Sequence, residues 1–315
     1  MLSCRIMRRR IDYARLLTEQ VNPSSRRLDG RSTIEILRLM NREDRRVPGA
    51  VARVLPSIRL AVDRLVAAIE GGGRIFFLGA GTSGRLGVIE AAECPPTFNT
   101  PPTLVQAIIA AGPAAVFRSR EGAEDDRLAA RQAVRRRVRR GDAVIGIAAS
   151  GVTPFVDAGL RAAAVRGART ILVTCSERRQ IRVPADVIIA PAVGPELIAG
   201  STRLKAATAT KLILNMLTVA TMVRLGKVYD HWMVDVRPNS RKLTHRALRI
   251  IQALTRVSSA RARRCLKAAN GRTTIAIVMA AKAVTAQLAD RLLRQAKGRL
   301  RRVLYTSGIW VLGPS

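Results

Sequence analysis

"FLGAGTSGRLGVIEAAECPPTF", residues 77–98, joins an apolar run to a loop of Gly, Thr and Ser and then to a helical segment. An apolar run of this length, bounded by such a loop and followed by a helix, is typical of the strands in α/β proteins. A helix from Gly84 would carry Glu90 and Glu93 on one face, because residues three apart are neighbours on a helix. The Pro-Pro pair that follows is predicted to end this helix, since a residue before proline avoids the helical region.

Four further β-rich runs follow this stretch, and helical segments or loops separate them. Continuous apolar strands that alternate with helices predict a parallel sheet with helices on both faces. The predicted fold class is therefore α/β, with a doubly wound parallel five-stranded sheet that binds its ligands at the carboxyl ends of the strands. The predicted strands lie at residues 74–79, 103–108, 143–148, 169–174 and 186–190.

Helices are predicted on both sides of the sheet region. Ser32 and Glu35 have capping-box spacing ahead of an N-terminal helix, and residues 56–70 begin with proline and end at a run of glycines. At 201–226 the spacing of Leu, Met and Val is apolar nearly all round a helix, which predicts a buried or interface helix. Three short helical pieces follow within 258–300. We therefore predict four parts, namely a helical N-terminal segment (1–55), the sheet domain (56–230), a small helical C-terminal domain (231–302) and an unassigned tail (303–315).

Composition narrows the class of protein. The 315 residues are 48% hydrophobic, which is enough for the cores of one or two domains. The four cysteines are scattered without a CxxC pair or a His/Cys cluster, which argues against a disulfide framework and a zinc site.

No apolar run approaches the ~20 residues that span a bilayer. The basic start lacks the apolar core of a secretory signal, while an Arg-rich transit peptide stays open. The sequence predicts a soluble, cytoplasmic protein without a membrane partner.

The net charge of +33 would suit a polyanionic partner such as a nucleic acid. Cationic residues that neutralise phosphates release their bound counterions, and this release favours binding. The densest basic run, "RQAVRRRVRR" at 131–140, is more typical of a solvated helix face, and its arginines suit the negative end of a helix dipole. Only 3% of the residues are aromatic, so stacking platforms for single strands are scarce. We therefore expect no specific nucleic-acid partner.

Residues 79–84, "GAGTSG", match the dinucleotide-binding spacing G-x-G-x-x-G. The acidic residue that would bind the ribose after the second strand is missing, so a nicotinamide cofactor is not favoured. Hydroxyl residues instead follow several strands and begin the long apolar helix. Hydroxyls and free N–H groups at helix starts can hold a phosphate without a metal, although the same residue types also cap helices. Their recurrence at one edge of one sheet favours a sugar-phosphate site, with the candidates Thr82, Ser83, Ser150, Thr153, Ser201 and Thr202.

Two groups of acidic residues are candidates for proton transfer. Glu93 is predicted at a helix C-terminus, where the dipole and partial burial would favour its protonated form, as a general acid requires. The second group, "EGAEDD" at 121–126, is predicted in the first turn of a helix. Helix-start amides would keep such a carboxylate ionised, as a general base requires.

The sequence resembles the N-acetylmuramic acid 6-phosphate etherases, a family of the sugar-isomerase (SIS) fold. The resemblance runs in order from about residue 18 to residue 300. Its most specific motifs are "GAGTSGRLG", "AECPPTF" and "EGAEDD", and "GPELIAGSTRLKAATATKLILNMLT" also matches. The resemblance implies that the sheet domain is a flavodoxin-like SIS phosphosugar-binding domain.

Members of that family cleave the lactyl ether of N-acetylmuramic acid 6-phosphate to N-acetylglucosamine 6-phosphate and D-lactate during cell-wall recycling. They act as homodimers and need no metal. The resemblance implies that Glu93, the glutamate before Cys-Pro-Pro, is the proton donor and that Glu124, in "EGAED", is the second catalytic residue.

The resemblance also implies a phosphosugar substrate and no cofactor, with Gly81 and Lys205 joining the hydroxyl residues as candidate substrate-binding residues. One alternative stays open on the same fold. A phosphosugar-binding regulator resembling the glucokinase regulatory protein would bind without turnover. The presence of both Glu93 and Glu124 favours the enzyme, because a sensor has no need of a separate acid and base.

Overall fold

The computed structural model describes residues 12–181 and 183–305. One sheet is formed by five strands, β1 (Ile75–Gly79), β2 (Val105–Ile109), β3 (Ala143–Ile147), β4 (Arg169–Val173) and β5 (Val187–Ile189). Their spatial order is β2-β1-β3-β4-β5, and β4 pairs in parallel with both β3 and β5. The doubly wound parallel five-stranded sheet predicted from the sequence is therefore confirmed.

Helices make up most of the remaining described chain, together with a short hairpin of β6 (Val228–Tyr229) and β7 (Trp232–Met233). The helices are α1 (Thr33–Asp44), α2 (Arg46–Ala52), α3 (Leu55–Glu70), α4 (Gly81–Phe98), α5 (Arg127–Arg137), α6 (Pro154–Val165), α7 (Lys205–Arg224), α8 (Arg241–Thr255), α9 (Ser259–Ala268), α10 (Thr273–Lys282), α11 (Ala286–Gln295) and α12 (Leu300–Tyr305). The predicted capping box is present at α1, where the Glu35 carboxylate accepts from the backbone N–H of Ser32 at 2.9 Å.

Burial on both faces explains why the strands read as continuous apolar runs. All five positions of β1 and all five of β3 are buried. On one face, Phe76 and Leu78 of β1 and Leu172 of β4 share a core cluster with Phe155 and Leu160 of α6. A parallel sheet needs such cover because its crossover helices pack on its faces.

The strand order defines where a ligand is expected. The chain crosses from β1 to β2 on one side and then returns to place β3 on the other side of β1. Open α/β sheets bind ligands outside the carboxyl ends of the strands at such a switch point. The segments that follow β1 and β3, at residues 80–84 and 148–153, therefore form the expected binding edge.

The helix that carries Glu93 does not end at the proline pair, so that prediction is wrong. α4 begins at Gly81, before the predicted start, and continues past Pro95 and its neighbour to Phe98. The backbone N–H of Asn99 still donates to the Pro95 carbonyl at 2.9 Å. Each proline lacks a backbone N–H and crowds the preceding turn of the helix. Because the pair lies close to the end of α4, few further backbone hydrogen bonds of the helix are lost. Glu93 therefore lies more than one turn before the end of the helix.

The prediction that no apolar segment approaches a membrane-spanning length is also wrong. Within the described residues, α7 is long and apolar enough, by length and composition alone, to cross a membrane. Its threonines and Lys211 interrupt the apolar run without making the helix polar. Half of its most apolar stretch is buried inside the protein. Because the buried core helices of other proteins have the same length and composition, α7 is weak evidence for a membrane span.

The chain divides into two compact units. In the described residues, the first unit contains the stretch up to Ala61 together with Phe76–Val88 and Ala107–Leu214. The second contains Val62–Ile75, Ile89–Gln106 and the residues from Asn215 onward. The C-terminal helices α8–α12 have a core of their own in the second unit, and α9, α10 and α11 are the three short helices predicted after residue 258.

Two sequence features lie outside the described residues. These are most of the basic N-terminal start, with Cys4, and the tail from residue 306 onward. The basic run at 131–140 is described, and most of its arginines are exposed, as predicted for a solvated helix face. Arg137 is the exception, since it is half-buried, stacks over Phe76 and donates to the carbonyl of Ala107 at 2.9 Å.

Candidate functional site

The predicted Gly/Thr/Ser loop after β1 is the first turn of α4. Gly81 begins the helix with a φ of 53°, which favours glycine. A Cβ atom on Gly84 would lie 2.7 Å from the carbonyl oxygen of Gly79, so the start of the helix packs tightly on the end of the strand. The first N–H groups of a helix have no partner within it and can bind an anion.

Thr82 and Ser83 stand in this first turn and are half-buried. Their hydroxyls make no hydrogen bond to any residue that the structure describes. The alternative interpretation, that these side chains only cap a helix, therefore has no support at this loop. Both hydroxyls are available to a ligand at the carboxyl end of β1.

The hydroxyl residues that follow β3 and β4 differ in burial and in hydrogen bonding. Thr174 and Ser176, which follow β4, are fully buried and donate to the carbonyls of Ala149 (3.1 Å) and Ser150 (2.6 Å). They hold the loop after β3 in place. Ser150 and Thr153 are half-buried, and Thr153 precedes α6 without a side-chain cap bond to it. Their hydroxyls are the ones that can reach a ligand.

The start of α7 is held by buried charges. The Glu196 carboxylate accepts from the backbone N–H groups of Lys205 (3.0 Å) and Ala206 (2.9 Å), which are the first two of the helix. Lys205 Nζ lies 2.7 Å from Glu43 Oε2, and both side chains are only 2% exposed. Asn22 also donates to Glu43 at 2.8 Å. The ammonium of Lys205 is therefore bound to Glu43 in the free protein, an arrangement that the sequence analysis missed.

The pKa values of these two carboxyl groups shift in opposite directions. Burial raises the pKa of Glu196 further than its hydrogen bonds from Ala206 and Lys205 lower it. Burial also raises the pKa of Glu43, but hydrogen bonds and positive charge from Lys205, with a bond from Asn22, outweigh it and leave the pKa lowered. Glu43 is thus the charged partner of Lys205.

Ser201 and Thr202 lie just before α7 and are half-buried. Within the described ranges neither side chain has a hydrogen-bond partner. The bonds at Glu196 and Glu43 fix the start of the helix a few residues further on. The first unit thus contains the hydroxyls after β1 and β3 and the pair before α7.

The acidic motif lies before α5 rather than in its first turn, which corrects the prediction. Ala123–Asp125 form a 3-10 turn, and Asp126 caps α5 by accepting from the N–H of Ala129 at 2.8 Å. A capping residue needs a non-helical backbone, so the helix cannot include the acids that precede it. Glu124 is exposed, and among the described residues its carboxylate has no ion pair or hydrogen bond.

The second unit contains Glu93, and its surroundings differ from the prediction. Glu93 is exposed, so the partial burial expected for it is absent in the single chain. Glu90, on the same face of α4, is 6% exposed and accepts from the Thr218 hydroxyl at 2.5 Å. Burial, with the charges of Glu90 and Glu93, raises the pKa of the Cys94 thiol to about 12. Cys94 is therefore a neutral core residue at physiological pH.

A cavity of about 560 Å³ in the second unit begins at the last turn of α4. The cavity was not predicted from the sequence, although the two Pro-Pro pairs that frame it are visible there. It is lined by Pro95, Pro96, Asn99, Thr100, Pro101, Pro102, Val236, Arg237, Asn239 and Leu243. Asp235, next to this lining, is already bonded to Lys227 (2.6 Å) and Asn99 (3.3 Å).

In the part of the chain that the structure describes, no group of three or more His, Cys, Asp or Glu residues could hold a metal ion. The first unit contains the exposed carboxylate of Glu124, the available hydroxyls and helix-start amides, which can bind a phosphate and move a proton. The second unit contains the exposed carboxylate of Glu93, which can also transfer a proton.

The five-stranded parallel sheet and its flanking helices form a sugar-isomerase (SIS) fold. The family model of the glucokinase regulatory protein N-terminal SIS domain matches residues 57–164, and that of the SIS domain matches residues 125–220. Among solved structures, a phosphoheptose isomerase from Neisseria gonorrhoeae is 18% identical, with a TM-score of 0.47, and covers 60% of this chain and 98% of its own.

Full-length relatives define the family more closely. An N-acetylmuramic acid 6-phosphate etherase of Picosynechococcus sp. is 47% identical over 92% of this chain and 96% of its own length. Those of Salinibacter ruber and Yersinia pestis are 49% and 46% identical over 91% and 92% of this chain, and over 93% and 98% of their own lengths. The chain belongs to the N-acetylmuramic acid 6-phosphate etherase family.

Proposed function

We propose that this protein cleaves the lactyl ether of N-acetylmuramic acid 6-phosphate and releases N-acetylglucosamine 6-phosphate and D-lactate. The observation that supports this most directly is the identity of 46–49% to etherases over more than nine-tenths of the chain. The alternative, a regulator without turnover, finds no support among these full-length relatives.

The reaction needs a base at the sugar carbon next to the open-chain aldehyde. Removal of the proton on that carbon leaves an electron pair that expels the lactate oxygen from the neighbouring carbon. Glu124 is the proposed base, because its exposed carboxylate has no partner among the described residues and stands on a short, well-defined turn. Proton transfer by a positioned side chain contributes about 10²–10⁴-fold to such a rate.

The departing ether oxygen needs a proton, because an alkoxide is a poor leaving group. Glu93 is the proposed acid, since it is exposed on α4 while its neighbour Glu90 is buried and bonded to Thr218. Water then adds to the unsaturated aldehyde at the carbon that lost lactate. The sum of these steps is the hydrolysis of the ether, and no oxidant or reductant is consumed.

The phosphate of the substrate is assigned to the carboxyl edge of the sheet in the first unit. Gly81 and the first turn of α4 offer N–H groups, with hydroxyls from Thr82 and Ser83. The remaining proposed hydroxyl ligands are Ser150, Thr153, Ser201 and Thr202. Direct binding by Lys205 stays a prediction that requires its pair with Glu43 to open.

Further proposals concern the setting of the reaction. We expect a homodimer in the cytoplasm that needs no metal or other cofactor and has no specific nucleic-acid or membrane partner. Residues 56–230 would form the phosphosugar-binding domain and residues 231–302 the helical C-terminal domain. These expectations follow from the family resemblance and from composition.

One experiment tests the reaction. The purified protein is incubated with N-acetylmuramic acid 6-phosphate and a chelator, and D-lactate is measured with time. We expect lactate without added metal. A sample that is folded by circular dichroism and binds the phosphosugar, yet releases no lactate, would contradict the enzyme and support the regulator.

A further inference from the structure

We propose that the cavity at the end of α4 binds the lactyl carboxylate of the substrate, with Arg237 as its cationic ligand. This inference rests on the proposed function, because it names the binding site for one group of that substrate. No carboxylate-binding residue was predicted from the sequence, where all candidate ligands were placed at the phosphate.

The positive charge on the cavity wall favours the binding of an anion. Among the described residues that line the cavity, Arg237 is the one with a charged side chain. The nearest acid in sequence, Asp235, is already neutralised by Lys227 at 2.6 Å and bonded by Asn99 at 3.3 Å. Arg237 is exposed and has no ion pair within the described residues. Its planar guanidinium can bind a carboxylate through two parallel hydrogen bonds.

The position of the cavity relative to Glu93 fits the geometry of the substrate. Pro96 lines the cavity and lies three residues after Glu93, so the two share a face of α4 with about 4.5 Å between them along the axis. In a lactyl ether, the carboxylate carbon is two bonds from the ether oxygen. A proton donor for that oxygen and a cation for that carboxylate must therefore lie close together, as Glu93 and this cavity do.

The remaining walls fit the rest of the lactyl group. Val236 and Leu243 offer apolar surface for its methyl group, and the amide side chain of Asn239 can bond a second carboxylate oxygen. Two Pro-Pro pairs form much of the wall, and proline side chains lose little freedom on binding. The cavity is therefore largely pre-formed, which limits the entropic cost of binding.

Arg237 is expected to affect turnover as well as binding. Negative charge develops on the ether oxygen as the bond to the sugar carbon breaks, and the neighbouring carboxylate repels it. A cation on the carboxylate reduces that repulsion at the moment of departure. Loss of Arg237 should then lower kcat and raise KM, while a neutral substrate would show neither effect.

The test compares two substrates and three variants. The substrates are N-acetylmuramic acid 6-phosphate and its lactyl carboxamide, which has nearly the same shape without the charge, and release of the common sugar product is followed for both. Arg237→Gln removes the cation, and Arg237→Lys keeps it. Arg263→Gln, on the exposed surface of α9, makes the same charge change away from the cavity and serves as the matched control.

We expect Arg237→Gln to lower kcat/KM for the acid by about 10–100-fold and for the amide by less than about threefold. Arg237→Lys should recover part of the loss, and Arg263→Gln should match the parent on both substrates. An equal loss on acid and amide, or no loss on the acid, would overturn the carboxylate site. So would a parent enzyme with no preference for the acid.

A binding measurement separates this inference from the reaction itself. Titration calorimetry of D-lactate in the presence of N-acetylglucosamine 6-phosphate should give weaker binding for Arg237→Gln than for the parent. If the parent releases no lactate but binds D-lactate in this Arg237-dependent way, the proposed function fails and the carboxylate site stands. If the parent releases lactate and Arg237→Gln binds D-lactate equally well, only the carboxylate site fails.

Discussion

Replacement of Lys205 by methionine should destabilise the protein strongly, because Lys205 is the buried cationic partner of Glu43. Both partners of the Lys205–Glu43 pair are 2% exposed, and their nitrogen and oxygen atoms are 2.7 Å apart. Methionine keeps the apolar stem but leaves the Glu43 carboxylate buried without its ammonium. Removal of one partner of a buried pair costs about 3–5 kcal/mol. We expect the lower end, because Asn22 at 2.8 Å and Arg46 at 3.0 Å still contact Glu43.

The free energy of unfolding, from urea titration at 25 °C, provides the measurement. Lys267→Met on α9 is the matched control, since Lys267 is exposed, and it should change stability by less than about 0.5 kcal/mol. The double variant Glu43→Gln/Lys205→Met should lose less than Lys205→Met alone, because no charge is then left buried. A loss below about 1 kcal/mol for Lys205→Met would refute the reasoning.

The pH dependence provides a second check, and its direction follows from the lowered pKa of Glu43. A carboxyl group with a lowered folded-state pKa contributes stability above its unfolded pKa, about 4.3, and loses it as the pH falls through the folded value. The deficit of Lys205→Met should therefore be full at neutral pH and shrink in acid. If Lys205 also binds the substrate phosphate directly, the variant should show a raised KM in addition to this loss of stability.

The remaining predictions concern the proposed site. In heavy water, the parent should leave deuterium on the sugar carbon next to the aldehyde; Glu124→Gln should lose this exchange and lactate release together, by about 10²–10⁴-fold. Glu93→Gln should lose lactate release by a similar factor, and full release by this variant would contradict its role as the acid. Ser83→Ala and Ser150→Ala should each raise KM more than they lower kcat, since a lost hydrogen bond is worth about 0.5–1.5 kcal/mol; unchanged phosphosugar binding in both would exclude these loops. Gly84→Ala should lower the free energy of unfolding by about 1–3 kcal/mol, because its Cβ would lie 2.7 Å from a carbonyl oxygen of β1, and a variant as stable as the parent would contradict this close packing.

Local patterns sufficed for the strands and for most of the helices. The buried strands are continuous apolar runs, and the box at Ser32 and Glu35 marks the start of α1. These features depend on residues close together in the chain, so their signals survive in the sequence. The rule that a proline ends a helix failed at Pro95, because the proline pair lies so close to the end of α4 that few further backbone hydrogen bonds are lost.

The roles of single polar side chains depended on contacts between distant residues. Thr174 and Ser176 are of the same residue types as Ser150 and Thr153 and also follow a strand. The first two are fully buried and donate to backbone carbonyls, whereas the second two are half-buried and donate to no residue that the structure describes. Glu90 and Glu93 likewise share a helix face, yet Glu90 is buried and accepts a hydrogen bond from Thr218, whereas Glu93 is exposed.

Motif order and the family resemblance single out Glu93 and Glu124, but the exposure of Glu93 differs from the partial burial expected for it. The fold class could be predicted from the sequence, because apolar periodicity and turn residues act over short stretches of chain. The pair of Lys205 with Glu43, 162 positions apart, and the cavity that places Arg237 near the end of α4 could not. Burial and charge neutralisation are properties of the space around a side chain, and the folded chain fills that space with residues that are remote in sequence.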